Sequence, residues 1–400
     1  MSVYWIWFAQ LRGISLFEKH KLLQKFHSPQ KLFVAAEAEL CMLSPKVRAA
    51  LSNPSLDAAE RIVNLCRQSR IGILSYADES YPQNLRNIED PPLILYYKGT
   101  LPDWTAQPLI GVVGTRKASP YGLQTTEFLA AQIAACGGMI VSGVAAGIDT
   151  VAMEAGLGLG KPVVGVLGCG VDVVYPSSNR TLYRRTEKNG CLLSEYPPGS
   201  RPYPGNFLRR NRIISGISQG VLVVEAPERS GALSTARHAF AQGRDVFTVP
   251  ANLGVESSKG SNGLLHDGAY AVLVGWDVMQ HYAPIYPNVV ENHPLPAKMS
   301  PEKVAQVPAD PNLSAVNTQP LAKNPIDNTQ KSTYSVINKQ PAGLSKAESD
   351  ILALLGAEAL LIDSILDAAN LPYGTVQSIL TRLTIQGVVI QHPDGRVSRK

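Results

Sequence analysis

From Leu109 onward the chain alternates short unbroken apolar runs with longer segments whose apolar residues recur at helical spacing, the pattern of strand and helix in turn. LIGVVG (109–114), MIVSGV (139–144), PVVGVLG (162–168), CLLSEY (191–196), VLVVEA (221–226) and DVFTVPA (245–251) read as strands. Runs without alternation suit strands covered on both faces, and helical segments at 125–138, 148–160, 178–190, 211–218 and 232–243 supply the cover. A last short helix–strand pair ends near Trp276. The series predicts an α/β fold with a doubly wound, mostly parallel sheet, in which ligands sit outside the carboxyl ends of the strands. Ahead of it, two strands at 71–75 and 93–98 flank an irregular loop.

Residues 1–70 have apolar residues at helical spacing throughout, interrupted at Gly13, Ser28-Pro29, Ser44-Pro45 and Asn53-Pro54. This is an all-α N-terminal domain. LRGISLFEKHKLLQKF fits either a helix–hairpin–helix, whose Gly turn would offer N–H groups to phosphate, or a plain SAM-like helical bundle. Residues 281–343 hold ten prolines among Asn, Gln, Ser and Lys with no sustained period, the composition of a disordered linker. In 344–400, helical patterns at 344–356, 360–370 and 375–387 precede an Asp394-Gly395 hairpin, which together predict a winged helix. Five basic residues there face six acidic ones, so contact with a protein is as well supported as contact with DNA. The expected division is 1–70, 71–280, 281–343 and 344–400.

Composition changes this picture little. A chain of 400 residues, 45% hydrophobic, has room for several cores, and a net charge of +5 is too small to establish nucleic-acid binding. Local clustering has to carry that argument. Five dispersed cysteines without a C-x-x-C pair predict neither a metal site nor disulfides and point to a reducing cytoplasm. The N-terminus has its apolar patch ahead of its first positive charge, unlike a secretory signal, and no run reaches membrane-spanning length, so no membrane partner is expected.

The clustering lies in 194–236, where Arg201, Arg209, Arg210 and Arg212 sit among Pro, Gly, Asn, Tyr203 and Phe207, beside a buried strand. Guanidinium groups with stacking platforms suit the backbone and bases of a single strand, a solvated face being the simpler alternative. Two further loops end neighbouring strands. Gly114, Thr115, Arg116, Lys117 and Ser119 offer close backbone approach, hydroxyls and a forked cation. Ser142 and Gly143 open a small-residue loop running to Asp149 at a helix start. A third loop, with Ser230, Gly231, Ser234 and Thr235, again places hydroxyls at a helix start and is a secondary anion-binding candidate. Ordinary tight strand–helix packing explains each loop equally well when taken singly. Gly165, Gly168 and Gly170 have the wrong spacing for a dinucleotide fingerprint, so no cofactor is expected. Glu225, Glu228, His238, His266 and Asp267 form no catalytic or metal-binding set.

With these residues in view, the chain resembles the bacterial DNA-processing protein A family (DprA, also called Smf). The matching motifs are GTRKAS (114–119), SGVAAGID (142–149), LGCGVDVVYP (167–176), SEYPPG (194–199), FLRRNRIISG (207–216), VVEA with RSGALSTA (223–236), PANLG (250–254) and GSNGLLHDGA (260–269). The resemblance implies a Rossmann-like domain that binds single-stranded DNA in a positive pocket, protects it and helps load RecA recombinase during natural transformation, as a homodimer. It places Arg116, Ser142, Gly143, Asn179, Arg180, Arg209, Arg210, Asn211 and Arg212 on that pocket. Where relatives often carry a lysine just after Tyr-Pro, this chain has Ser177 and Ser178, with Arg180 nearby. The competing reading is a nucleotide-binding enzyme of the related superfamily that hydrolyses nucleoside monophosphates. In the corresponding loop Arg237 or His238 stands where the catalytic Glu belongs, which favours binding over catalysis.

Overall fold

The computed structural model describes residues 2–52, 54–291, 346–355, 360–361, 365, 376, 379–380, 382–384, 388–391 and 396–399. The chain divides into two compact units, Met1–Ser314 and Ala315–Lys400. In the first, strands β1 (Gly72–Ser75), β2 (Ile94–Gly99), β3 (Leu109–Val113), β4 (Met139–Ser142), β5 (Val163–Leu167), β6 (Gly190–Ser194), β7 (Gly220–Val223), β8 (Asp245–Thr248) and β9 (Tyr270–Ala271) form one sheet in the order β1-β2-β6-β5-β4-β3-β7-β8-β9. From β6 to β9 every neighbour is parallel, while β1 and β2 pair with each other, and β2 with β6, antiparallel. The mostly parallel α/β sheet is therefore as the apolar pattern predicts.

Both faces of this sheet are covered, which is why its central strands read as unbroken apolar runs. All residues of β3, β4, β5 and β7 are buried. Alternate residues of β3 enter opposite cores: Ile110 and Val112 join Leu129 and Ile133, whereas Leu109 and Val113 join Ile213 and Ile214. Helices Pro120–Ala135 and Ile148–Gly158 pack together on one face, Pro204–Ile217 and Gly231–Ala241 on the other. Strands β3 and β7 are adjacent, yet the helices that follow them take opposite faces. The connections that leave their carboxyl ends therefore diverge to opposite faces, and a crevice lies just beyond those ends.

The N-terminal segment is helical, as expected, over Ser2–Gln10, Leu16–Phe26, Pro29–Phe33, Glu37–Leu40, Pro45–Leu51 and Asp57–Gln68. Its second helix starts at a capping box in which Ser15 accepts from the Glu18 amide while the Glu18 carboxylate accepts from the Ser15 amide. Trp5, Ile6 and Phe8 share a core with Ile94 and Tyr96 of β2, so these helices cover the antiparallel end of the sheet.

In the first unit two expectations need correction. Residues 201–210 read as loop, but a helix starts at Pro204, seven residues earlier than expected; proline at the first helical position is compatible with helix and masks the start. The linker was expected from 281, yet 281–290 pack on the first unit. The Tyr282 hydroxyl donates to Asp245 (2.9 Å), Gln219 donates to the Tyr286 hydroxyl (3.0 Å), and Tyr282 and Val290 are buried. Tyr282, Tyr286 and Val290 recur at helical spacing, a signal hidden by the two prolines between them. Residues 292–343 lie outside the described residues.

In the second unit, helix Lys346–Leu354 and strands β10 (Leu360–Leu361), β11 (Val389–Gln391) and β12 (Arg396–Arg399) surround a core that includes Ile351, Leu355, Leu380 and Val397. Strands β11 and β12 pair antiparallel with Val389 opposite Arg399, as the hairpin expectation requires, although its turn at Asp394-Gly395 is outside the described residues. Leu360 and Leu361, expected to open a helix, instead pair with β12.

Candidate functional site

The crevice at the carboxyl ends of β3 and β7 is a cleft of ≈ 780 Å³. The loop after β3 supplies Gly114, Thr115, Arg116 and Lys117. Its course is set from β7: the Thr115 amide donates to the Glu225 carbonyl (2.7 Å), and the Ser119 amide and hydroxyl donate to the Glu225 carboxylate (2.9 and 3.2 Å). Ser119 also caps helix Pro120–Ala135 by accepting from the Gly122 amide (3.0 Å). Its hydroxyl is thus engaged in structure, while Arg116 and Lys117 are exposed.

Arg116 does not stand alone. Its guanidinium lies 5.2 Å from the centre of the Phe207 ring, and Phe207 stacks on Tyr175 with centroids 5.3 Å apart and planes 29° from parallel. Cation, ring and ring form one platform, and Tyr175 keeps 40% of its surface exposed. The Phe207 ring fits because residue 168 is glycine, where a side-chain carbon would come within 2.7 Å of it. On the opposite wall are Arg229, Ser230, Gly231 and Thr235. Ser230 caps helix Gly231–Ala241 through the Ala232 amide (3.2 Å), and Thr235 is buried. Ser234 is half-buried on the same helix.

Arg209, Arg210 and Arg212 separate because they lie on one helix, which Arg201 precedes as an exposed residue. Successive helical residues point about 100° apart. Arg210 and Asn211 face the cleft floor, whereas Arg209 and Arg212 face a second cleft beside the N-terminal helices, against Asp90 and Glu195. Arg212 bonds Glu195 (2.8 Å) and Asp90 (3.0 Å), and Arg209 lies 3.6 Å from Glu195. Burial pulls the Arg212 pKa down, but the two carboxylates outweigh it and leave it above its ordinary value. The sequence placed all four of these residues on one pocket; the structure brings only Arg210 and Asn211 to it.

Arg210 is itself buried, 4% exposed. It donates to the Gly143 carbonyl (2.6 Å), to the Val166 carbonyl and to the Asn211 amide oxygen (3.2 Å). Asp149, 5% exposed, accepts from the Gly143 and Ala145 amides (3.0 and 3.4 Å). Burial raises the Asp149 pKa, opposed by Arg210 and by backbone N–H groups, and burial lowers that of Arg210, opposed by Asp149. Ser142 is fully buried, its hydroxyl donating to the Val112 carbonyl (2.7 Å). Asn179 is buried too and donates to the Val144 carbonyl (3.0 Å) and the Thr150 hydroxyl (2.8 Å). Arg180 is exposed at the start of helix Arg180–Asn189 and does not line the cleft.

Phe207 stands here as the stacking platform expected from sequence, whereas Tyr175 and Arg229 belong here without having been expected. Arg229 stands beside the chosen residues, but the pairing of Tyr175 with Phe207 joins positions 32 apart and has no local signal. Among the described residues no group of His, Cys, Asp and Glu is arranged to hold a metal ion, and no helix is long and apolar enough to cross a membrane.

A family model described as DNA recombination-mediator protein A matches residues 72–283, and one described as the DprA winged helix domain matches 338–395. Protein Smf of a Synechocystis species is 31% identical over 408 residues, spanning 100% of this chain and 99% of its own. DNA processing protein DprA of Streptococcus pneumoniae is 41% identical over 208 residues, spanning 52% of this chain and 73% of its own. The X-ray structure of that DprA covers 73% of this chain and 99% of its own, with a TM-score of 0.59 and 32% identity.

Proposed function

The chain belongs to the DNA recombination-mediator protein A family, and from that premise we propose that it holds single-stranded DNA in the cleft between β3 and β7. The observation that carries this reading is the composition of the cleft mouth. Arg116, Lys117 and Arg229 are exposed there beside the Phe207–Tyr175 stack, a set that suits phosphates and unpaired bases together. The strand rests on the loop from Gly114 to Lys117 and on helix start Ser230-Gly231, with bases over Tyr175. Ser119, Ser142, Gly143 and Asn179 act through the backbone they hold.

Binding, not turnover, is the proposed activity. The carboxylates near the cleft are tied to the fold, Glu225 through one oxygen by Ser119, Asp149 by the Gly143 and Ala145 amides and the lining residue Glu256 by Lys259 (2.6 Å), which supports holding a strand over activating a water. Release of free base from nucleoside monophosphates by the purified protein would reverse this choice. As a mediator the protein would protect incoming single strands and help load RecA recombinase during natural transformation, acting in the cytoplasm as a homodimer.

Gel shifts of single- and double-stranded oligonucleotides at two salt concentrations test the proposal. Single strands are expected to bind more tightly, and Arg116→Gln to weaken them while reducing the slope of log affinity against log salt by about 0.7. Equal binding of both forms, with Arg116→Gln unchanged, would sink it.

A further inference from the structure

Arg210 lies at the floor of the cleft, where a phosphate contact is the obvious role. Its geometry assigns another. We propose that Arg210 is a positioning residue: with Asp149 it grips the loop after β4 and so sets the cleft wall on which Arg116 and Phe207 meet the strand. The inference rests on the single-strand reading of the cleft for its consequence, but not for the grip itself.

Gly143 is held through both of its backbone groups. Asp149 accepts from its N–H at 3.0 Å, and Arg210 donates to its carbonyl at 2.6 Å. Arg210 also donates to the Val166 carbonyl, so one guanidinium ties β5 and the loop after β4 to helix Pro204–Ile217. Glycine at 143 is required, since a side-chain carbon would lie 2.5 Å from the Arg210 Nη2 atom.

The grip reaches the exposed contacts by two routes. From Gly143 the loop runs to Gly147 and Ile148, whose amide donates to the Thr115 carbonyl (3.4 Å) immediately before Arg116. Along the helix, Phe207 stands one turn before Arg210, on the same side. Asn211, which accepts from Arg210, also donates to the Gly231 carbonyl (3.0 Å) and so reaches the opposite wall. Asp149 offsets the charge of Arg210, leaving Arg116, Lys117 and Arg229 as the cations a strand meets in this cleft.

A contact residue and a positioning residue differ in their salt signature. Removing a phosphate contact flattens the salt dependence, whereas moving a wall weakens binding at unchanged slope. Affinity for an oligothymidine is measured over a salt series for wild type, Arg116→Gln, Arg210→Met, Asp149→Asn and the Arg210→Met/Asp149→Asn pair. The expected result is about tenfold weaker binding in each Arg210 and Asp149 variant, the pair no worse than Arg210→Met alone, and all three with the wild-type slope. A slope as shallow as that of Arg116→Gln would make Arg210 a contact and overturn the proposal.

Hydrogen exchange of the DNA-free proteins provides an arm that does not depend on the function. Amides of 143–148 should exchange faster in Arg210→Met and in the pair, and unchanged protection there overturns the proposal even if no variant binds DNA. Should Arg210→Met fail to fold because Asp149 is left as an unpaired buried charge, the pair, which is free of that charge, carries both measurements. If instead wild type binds no oligothymidine while exchange rises as expected, the grip stands and the single-strand reading falls.

Discussion

At the level of single residues, the structure separates side chains that sequence treats as one class. Arginines 209, 210, 212 and 116 carry the same charge, yet the first three are occupied by protein acceptors or carboxylates and only Arg116 faces the cleft mouth. Tyr175 has the reverse history, being one residue of a motif until its ring is seen on Phe207. Tyr175→Ala should therefore cost about 1–3 kcal/mol of single-strand binding through lost stacking, with the salt slope retained, as read by fluorescence titration at several salt concentrations. Lys19 gives a pH signature. Burial, with Arg209 nearby, lowers its pKa to about 8, although Asp90 acts the other way. Above pH 8 the folded chain has released this proton, and the unfolded chain keeps it to about 10.5, so stability attributable to Lys19 rises across that window. Urea melts of wild type and Lys19→Met should show their difference moving in favour of wild type between pH 8 and 10.5; a constant difference would contradict the assignment.

Elements decide which of these residues can meet. Helix periodicity divides 209–212 between two clefts, and a reading of that stretch as loop conceals the division because loops impose no angular spacing. Strand order does the rest: β3 and β7 are more than a hundred residues apart in sequence but adjacent in the sheet, and Glu225 beyond β7 orders the loop that carries Arg116. Ser119 joins the two, as helix cap and as donor to Glu225. Ser119→Ala should lower stability by about 1–2 kcal/mol, seen as a lower urea midpoint with unchanged m. A change in m instead would mean that the loss lies in the unfolded chain.

For the whole molecule, the division into Met1–Ser314 and Ala315–Lys400, each with its own core, predicts two separable calorimetric transitions, and one cooperative transition would show that the cores unfold together. The N-terminal helices share a core with β2, so they should melt with the larger unit. Much of this architecture is legible in sequence. Unbroken apolar runs between helical segments determine a covered parallel sheet, and the motif series from Gly114 to Ala269 determines the family, because both are written in local order. The docking of 281–290 is not legible, since two prolines obscure its period. Nor is the pocket lining. Whether a given arginine meets solvent, a carboxylate or a carbonyl depends on partners brought from other strands, and burial turns equal charges into unequal roles. The sequence determined that a basic stretch stands beside the strand ends; only the tertiary structure decided that one of its arginines grips a loop, two lie against carboxylates in a second cleft, and the free cations of the cleft come from Arg116, Lys117 and Arg229.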